Sequence, residues 1–199
     1  ALPEPIDVQL VIGDYQDNQL GEGRILAVND EGRPVAGRVV VDDDGAGLGW
    51  YAAMDEPVPA GKYDLYTVLL HEIGHTLGFT RAYEGFASQV QVDGQGNKLF
   101  VGPDFTVALD AAAQHVDSER AGIDLMNPEL APGIRKLPTA IDVQILQAAY
   151  AAAEAGADGF SSDAAAMPAA EPMAPLASFG PEMVTDAVVS ADRVGGDVY

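Results

Sequence analysis

The sequence contains no cysteine among its 199 residues. This absence excludes a disulfide scaffold, a thiolate zinc site and a nucleophilic thiol. There is also no run of about 18 or more apolar residues, so we expect no segment that spans a membrane. Lysine and arginine number only 10 against 31 aspartates and glutamates, which gives a formal net charge of −21. Because phosphate-backbone binding needs a basic contact face, we expect no nucleic-acid partner.

Histidine is scarce as well, and two of the three histidines lie in the segment HEIGH at positions 71–75. This is the HExxH pattern of zinc peptidases. At roughly 100° per residue on a helix, His71 and His75 lie one turn apart on one face, where two imidazoles can bind one Zn²⁺. Glu72 lies at the edge of that face, within reach of a metal-bound water. The alternative is an ordinary amphipathic helix with two incidental histidines.

The third histidine, His115, lies shortly before the turn DLMNP, which contains Met126. A catalytic zinc needs three protein ligands and an open position for water, and the histidine count matches that need. We therefore predict a zinc site made of His71, His75 and His115. Three carboxylates remain alternatives for the third ligand: Asp110, Asp117 and Glu119. Asp117 could instead orient a ligand histidine.

An acidic cluster follows the third predicted strand, at Asp42, Asp43 and Asp44. Carboxylate oxygens suit Ca²⁺, which takes six to eight oxygen ligands, so calcium is a candidate second cofactor. The spacing does not match the EF-hand loop, and a solvated acidic turn is the alternative. For the chain as a whole, the acidic composition indicates solubility through self-repulsion or a preference for basic substrates.

The order of predicted elements indicates an α+β fold with an α/β-like N-terminal part. Period-two patterns and turn signals predict strands at 6–14, 21–28 and 35–41, in one sheet packed on the HEIGH helix, and a hairpin at 90–92 and 99–101. The HEIGH helix has Asp64 as its expected N-cap and Gly78 as its stop.

A last helix is predicted from Thr139 as N-cap to about Ala153. Its expected inward residues are Ile141, Ile145, Leu146 and Ala149. From Glu154 onward, alanine, proline, glycine, serine and methionine dominate, which is typical of a disordered tail or a linker. We therefore expect one domain at 1–153 and a tail at 154–199.

The segment HEIGHTLGF, followed by a downstream histidine and a Met-containing turn, resembles the metzincin clan of zinc endopeptidases. The resemblance covers roughly residues 6–153, and GRVVVDDDGAGLGWY is similar to the strand and acidic loop before the active-site helix of matrixin-like members. It implies a twisted mixed sheet, mostly parallel with an antiparallel edge strand, beside the active-site helix. It also implies a small C-terminal part with a Met-turn and a final helix, an apolar floor formed by Met126 under the metal ligands, and a secreted protein.

Two features depart from that pattern. Arg81 stands where the compact metzincin motif has its third ligand, so residues 82–114 look like an insertion before His115, similar to leishmanolysin-like members. The first strand and long helix of the clan have no counterpart upstream, so we expect an N-terminally truncated domain. The chain begins at Ala1 without a signal peptide, as expected of a mature or excised piece.

The sequence thus favours a zinc-dependent endopeptidase that hydrolyses peptide bonds of a protein or peptide substrate. In this hypothesis a zinc-activated water attacks the scissile carbonyl, and Glu72 acts as general base. One alternative is a catalytically silent, metal-stabilised binding module of a larger extracellular protein. A weaker alternative is a metallohydrolase that acts on something other than peptides.

Overall fold

The computed structural model describes residues 5–16, 18–158 and 188–191. Within these residues the chain forms a five-stranded sheet, a three-stranded sheet, a two-stranded ladder and four helices, so the α+β class predicted from the sequence is confirmed. The strands are β1 (Asp7–Gly13), β2 (Gln19–Val28), β3 (Pro34–Asp42), β4 (Trp50–Tyr51), β5 (Tyr63–Asp64), β6 (Val90–Val92), β7 (Lys98–Val101), β8 (Thr106–Ala108), β9 (Glu129–Leu130) and β10 (Val188–Ala191). The helices are α1 (Leu65–Thr76), α2 (Glu84–Ala87), α3 (Ser118–Ala121) and α4 (Ala140–Asp158).

The five-stranded sheet is mixed and has the order β1-β3-β2-β10-β9. The three predicted N-terminal strands form its first half: β1 is parallel to β3, and β2 is antiparallel to β3. β10 is antiparallel to β2 and parallel to β9. Two of the four pairings are therefore parallel, whereas the resemblance implied a mostly parallel sheet.

Helix α1 carries the HEIGH segment and begins and ends where the sequence predicted. The Asp64 side chain accepts a hydrogen bond from the Thr67 backbone N–H at 3.1 Å, which caps the first turn. Gly78 has φ = 109°, in the left-handed region that favours glycine after a helix. Arg135 donates to both oxygens of the buried Asp64 carboxylate, at 3.0 and 2.6 Å. Burial opposes ionisation of Asp64, but the hydrogen bonds from Arg135 and Thr67 outweigh it and lower its pKa.

One face of α1 packs directly on β2 and β3. A Cβ atom on Gly23 would lie 2.2 Å from the Glu72 carbonyl oxygen, and one on Gly37 would lie 2.6 Å from Thr76 Cβ. These two glycines allow the helix backbone to approach the sheet more closely than any side chain would permit. A small apolar core joins the same helix to β2, β5 and β9 and consists of Leu20, Tyr63, Val68 and Leu130.

The larger core lies on the other side of the helix, between α1, the three-stranded sheet and α4. The predicted hairpin is confirmed as β6 and β7, and β8 adds a third antiparallel strand. Phe79, Phe86 and Phe100 are fully buried there. Phe86 contacts both of the other rings at a tilted angle, with ring centroids 5.0 Å apart in each contact. This core fixes the segment after α1 against the segment that carries His115.

Helix α4 begins with the predicted cap. The Thr139 backbone N–H donates to Asp142 Oδ2 at 2.7 Å, and the Asp142 N–H lies 3.4 Å from Thr139 Oγ1, which is a reciprocal capping arrangement. Ile145 and Ala149 are fully buried as predicted, and Ile141 and Leu146 pack half-buried beside them.

The helix extends to Asp158 instead of Ala153, because the alanine-rich run after Tyr150 has high helix propensity. Of the predicted tail, residues 154–158 therefore belong to α4, and residues 188–191 form β10. The remaining tail positions lie outside the described residues. No helix in the described part of the chain has the length and apolar character needed to traverse a bilayer.

Candidate metal centre

Two imidazoles project from consecutive turns of α1 into the interior. His71 and His75 are 2% and 0% exposed, and their ring centroids are 4.7 Å apart. Their Nε2 atoms lie 3.0 Å from each other. Two nitrogen ligands of one tetrahedral zinc are about 3.3 Å apart, so this separation is close to that of a shared ion.

The third imidazole comes from the turn that joins β8 to α3. A bridge between Leu109 and Val116 closes this turn, and Asp110 Oδ1 accepts hydrogen bonds from the Gln114 and His115 backbone N–H groups. His115 is thereby held with its ring centroid 5.3 Å from that of His71 and 5.2 Å from that of His75. One nitrogen from each of the three histidines lies within 4.8 Å of the others. The structure thus brings the three predicted ligands together.

Each ring is oriented by an acceptor at its outer nitrogen. His71 Nδ1 lies 2.8 Å from the Leu125 carbonyl oxygen, and His75 Nδ1 lies 2.6 Å from that of Phe79. His115 Nδ1 lies 3.0 Å from Asp110 Oδ2. Carbonyl and carboxylate oxygens only accept, so each Nδ1 carries the proton and each Nε2 presents a lone pair inward.

The inward lone pairs have no donor to satisfy them. His115 Nε2 is buried with no hydrogen-bond partner among the described residues. Two imidazole lone pairs that face each other at 3.0 Å repel unless a proton or a metal cation lies between them. The arrangement of the three nitrogens therefore matches a set of ligands for one cation.

Burial also keeps the rings in the neutral form that binds metals. Desolvation, reinforced by the neighbouring histidines, lowers the pKa of His71 well below its ordinary value. The same two causes lower the pKa of His75 to about 3. A proton is therefore disfavoured between the rings at neutral pH, which leaves a metal ion as the cation that suits the site.

Glu72, the predicted general base, is fully buried beside these ligands. It is covered by β2: a Cβ atom on Gly21 would lie 2.9 Å from Glu72 Oε1. Neither carboxylate oxygen has a hydrogen-bond partner among the described residues. Desolvation, with a contribution from the charge of Glu22, raises the Glu72 pKa well above its ordinary value. The nearby Gly23 backbone N–H, which lies outside normal hydrogen-bond geometry, weakens that rise. Without a cation nearby, this setting favours the protonated carboxyl. A metal ion bound to the histidines would favour the ionised form of Glu72, which a general base requires.

Met126 packs against the helix that carries His71 and His75. Its Sδ atom is 2.7 Å from the position that a Cβ atom on Gly74 would take, and Met126 is 1% exposed. The Asp124 side chain holds the turn by accepting from the Met126 N–H at 2.9 Å. The same turn presents the Leu125 carbonyl to His71, so it contributes both the floor and a ring-orienting acceptor.

The carboxylates considered as alternative third ligands have other contacts. Asp110 orients His115 through Nδ1. Asp117 caps α3 and pairs with Arg120 at 2.8 Å. Glu119 lies in the first turn of α3 and is exposed. None of the three belongs to the ligand group formed by the histidines.

The acidic cluster is rearranged relative to the predicted calcium site. Asp42 and Asp43 lie close together with Asp14, from the end of β1, and Asp44 is not part of that group. Asp42 uses its two oxygens to accept from the Tyr15 N–H at 3.0 Å and the Ala46 N–H at 2.7 Å. Asp44 accepts from the Gly47 N–H at 2.6 Å. These contacts are those of a structured acidic turn.

Several residues that shape the centre were not predicted from the sequence. Gly21 and Gly23 enclose Glu72, and the carbonyls of Leu125 and Phe79 orient the rings. The only indication in the sequence was that the two glycines are two positions apart, which places both on one face of β2. The carbonyl acceptors could not be predicted from residue type, because every residue has a backbone carbonyl.

Comparison with known proteins finds no matching family model, no matching curated protein and no matching solved structure.

Proposed function

We propose that the chain is a zinc-dependent endopeptidase with His71, His75 and His115 as metal ligands and Glu72 as general base. The observation that carries the proposal is the convergence of three buried imidazole nitrogens beside a buried carboxyl without a hydrogen-bond partner among the described residues. A catalytic zinc is typically held by three protein ligands with one open position, whereas a structural zinc has four.

The donor set fits zinc better than a harder ion. Imidazole nitrogen is a common ligand of Zn²⁺, whereas Ca²⁺ and Mg²⁺ prefer oxygen ligands. A zinc ion held here would supply a Lewis acid and a water activated near neutral pH. Phe79, Leu125 and Asp110 fix the tautomers of the rings, which keeps the three nitrogens aimed at one point.

Glu72 would accept the proton of the attacking water and return it to the leaving amine. Enclosed by Gly21 and Gly23, both carboxylate oxygens lack a hydrogen bond of normal geometry among the described residues, so they are open to that proton. Met126 fills the space under the helix and limits movement of the ligands. The assignment of a peptide as substrate is supported by the HEIGHTLGF resemblance and by the strand edges that border the centre, described in the next subsection.

A test combines metal analysis with digestion of casein or a peptide library, for the parent chain and for Glu72→Gln. Glutamine keeps the buried volume of glutamate but cannot take the proton. We expect about one zinc per chain in both proteins and loss of cleavage by roughly 10²–10⁴-fold in the variant. Zinc binding without cleavage, both by the parent chain and by a chain in which strand β10 is disrupted, would reject the peptidase. Absence of zinc from both proteins would reject the metal centre.

One observation favours a second candidate, a metal-stabilised binding module without hydrolytic activity. All three histidines and Glu72 are at most 4% exposed, which is less access than a substrate requires. A purely structural site, however, has no need of Glu72. The low exposure is also explained if a segment of the chain covers a working site.

A further inference from the structure

Strand β10 occupies a slot between two strands that do not pair with each other. In the sheet order, β2 lies on one side of β10 and β9 on the other. Val188 pairs with Glu22 and Val189 with Gly21, in the antiparallel sense. On the opposite edge, Ser190 pairs with Glu129 and Ala191 with Leu130, in the parallel sense. β10 is thus the element that bridges β2 and β9 in the described part of the sheet.

The slot lies beside the proposed catalytic residues. Gly21, opposite Val189, is the residue whose Cβ would lie 2.9 Å from Glu72 Oε1. β9 follows the turn that contains Met126. That turn presents the Leu125 carbonyl to His71. One border of the slot therefore contacts the general base, and the other belongs to the segment that orients a metal ligand.

The dimensions of the slot suit one extended chain. Neighbouring strands lie about 4.8 Å apart, so two strands separated by a third are about 10 Å apart. With that space open, the facing edges of β2 and β9 would present unpaired backbone N–H and C=O groups to each other. Such edges bind an extended peptide through main-chain hydrogen bonds.

We propose that this slot is the substrate groove and that Val188–Ala191 occupies it as an internal competitor, excluding other peptides from the site of the same chain. The proposal rests on the proposed peptidase function for the identity of the groove. Residues 159–187 connect α4 to β10, and 29 residues can extend over roughly 100 Å, which is ample for closure within one chain. A tethered segment acts at an effective concentration of up to about millimolar, so it competes strongly with free peptide.

The first measurement is amide hydrogen exchange of the full chain and of the double variant Val189→Pro/Ser190→Pro. Val189 pairs with β2, and Ser190 pairs with both β2 and β9, at the point where the register of β10 on β2 shifts. The two prolines remove two successive backbone donors from this strand, which disrupts its pairing with the neighbours. We expect exchange in residues 19–22 of β2 to rise about tenfold or more in the variant. The matched control is Ala169→Pro/Ala170→Pro, which places two prolines in the connecting segment and leaves β10 intact.

The second measurement is binding of a fluorescent peptide with the sequence of residues 185–193, TDAVVSADR, in the presence of zinc. Glu72→Gln is included in every chain so that no peptide is cut. We expect the variant with prolines in β10 to bind the peptide about tenfold or more tightly than the control variant and the otherwise unmodified chain. Circular dichroism and zinc content verify that the variants are folded.

Equal exchange and equal peptide affinity in all three chains would overturn the proposal. Loss of β2 protection on dilution of the unmodified chain would assign the strand to a second copy, which also overturns it. The two proposals fail separately. If β10 disruption opens the groove but zinc-loaded chains with Glu72 cut no peptide, the peptidase fails and the internal competitor stands. If peptides are cut at equal rates with and without the prolines, the peptidase stands and the internal competitor fails.

Discussion

His115 Nδ1 lies 3.0 Å from Oδ2 of Asp110, five positions earlier in the chain. The other oxygen of the same carboxylate accepts from the His115 backbone N–H at 3.3 Å. Asp110 therefore fixes the backbone, the ring orientation and the tautomer of His115 together. Partners of this kind orient metal ligands and raise their basicity.

Substitution of Asp110 by alanine is predicted to weaken zinc binding by about 10–100-fold, because the His115 ring loses the acceptor that holds its proton on Nδ1. Competition with a chromophoric chelator at neutral pH measures the affinity. Asp117→Ala is the matched control, since Asp117 pairs with Arg120 and caps α3. Equal zinc affinities for the two variants would show that Asp110 has no orienting role.

Gly23→Ala tests the close approach of β2 to the ligand helix. The new Cβ would lie 2.2 Å from the Glu72 carbonyl oxygen, a backbone atom that cannot move away without shifting α1. We expect a loss of about 3 kcal/mol or more in the free energy of unfolding, measured by chemical denaturation. Gly61→Ala is the control, because no atom lies within 4 Å of its added Cβ. If both variants lose the same free energy, the packing at Gly23 is looser than described.

The pair formed by Arg135 and Asp64 secures the start of α1. Asp64 has a side-chain exposure of 0%, against 19% for Arg135. Arg135→Met should cost about 3 kcal/mol or more, because a buried carboxylate loses its charged partner. The ion pair of Arg120 and Asp117 is more exposed, with side-chain exposures of 35% and 19%, and provides the comparison. Arg120→Met should cost less, about 1 kcal/mol.

The charge interaction itself is measured by adding Asp64→Asn to Arg135→Met. If the two charges compensate each other, the double variant is less destabilised than the sum of the single variants. Simple additivity of the two unfolding free energies would mean that Arg135 acts only by packing and through its bonds to the carbonyls of Ala53 and Met54.

The features predicted correctly from the sequence are those with short-range causes. The spacing of His71 and His75 and the caps at Asp64 and Gly78 depend on residues within one or two helical turns. The joining of His115 to the other two histidines was predicted from ligand count and resemblance rather than from geometry. Its position depends on the turn closed by Asp110, which residue types alone do not reveal.

The features that were missed depend on long-range packing. The enclosure of Glu72 needs β2 to lie on α1, although the two are far apart in sequence. Asp14 takes the place expected for Asp44 because β1 and β3 are parallel and end at the same edge of the sheet. The pairing of β10 with β2 joins residues separated by most of the chain, and no periodicity in a short segment specifies such a partner.

A buried carboxyl pair links the Met-turn to the start of α4. The Thr139 hydroxyl lies 2.8 Å from Asp124 Oδ2 and 3.1 Å from Asp142 Oδ2. Asp142 Oδ1 is buried and has no assigned hydrogen-bond partner among the described residues. Burial first, and then the hydrogen bond with Asp124, raises the pKa of Asp142 from 3.8 to about 7. Asp142 therefore retains its proton in the folded chain below neutral pH.

The raised pKa of Asp142 predicts the pH dependence of stability. Between the ordinary pKa of 3.8 and the folded value of about 7, the folded chain retains a proton that the unfolded chain has released, so the contribution of Asp142 to stability falls as pH rises through that window. Asp142→Asn keeps an acceptor for Thr139 and donates permanently to Asp124. We therefore expect little change in unfolding free energy at the acidic end of the window and a gain of roughly 1–3 kcal/mol above it. Chemical denaturation at both ends measures this, with the exposed Asp104→Asn as control. A gain that is the same at both ends would show that Asp142 is ionised throughout the window.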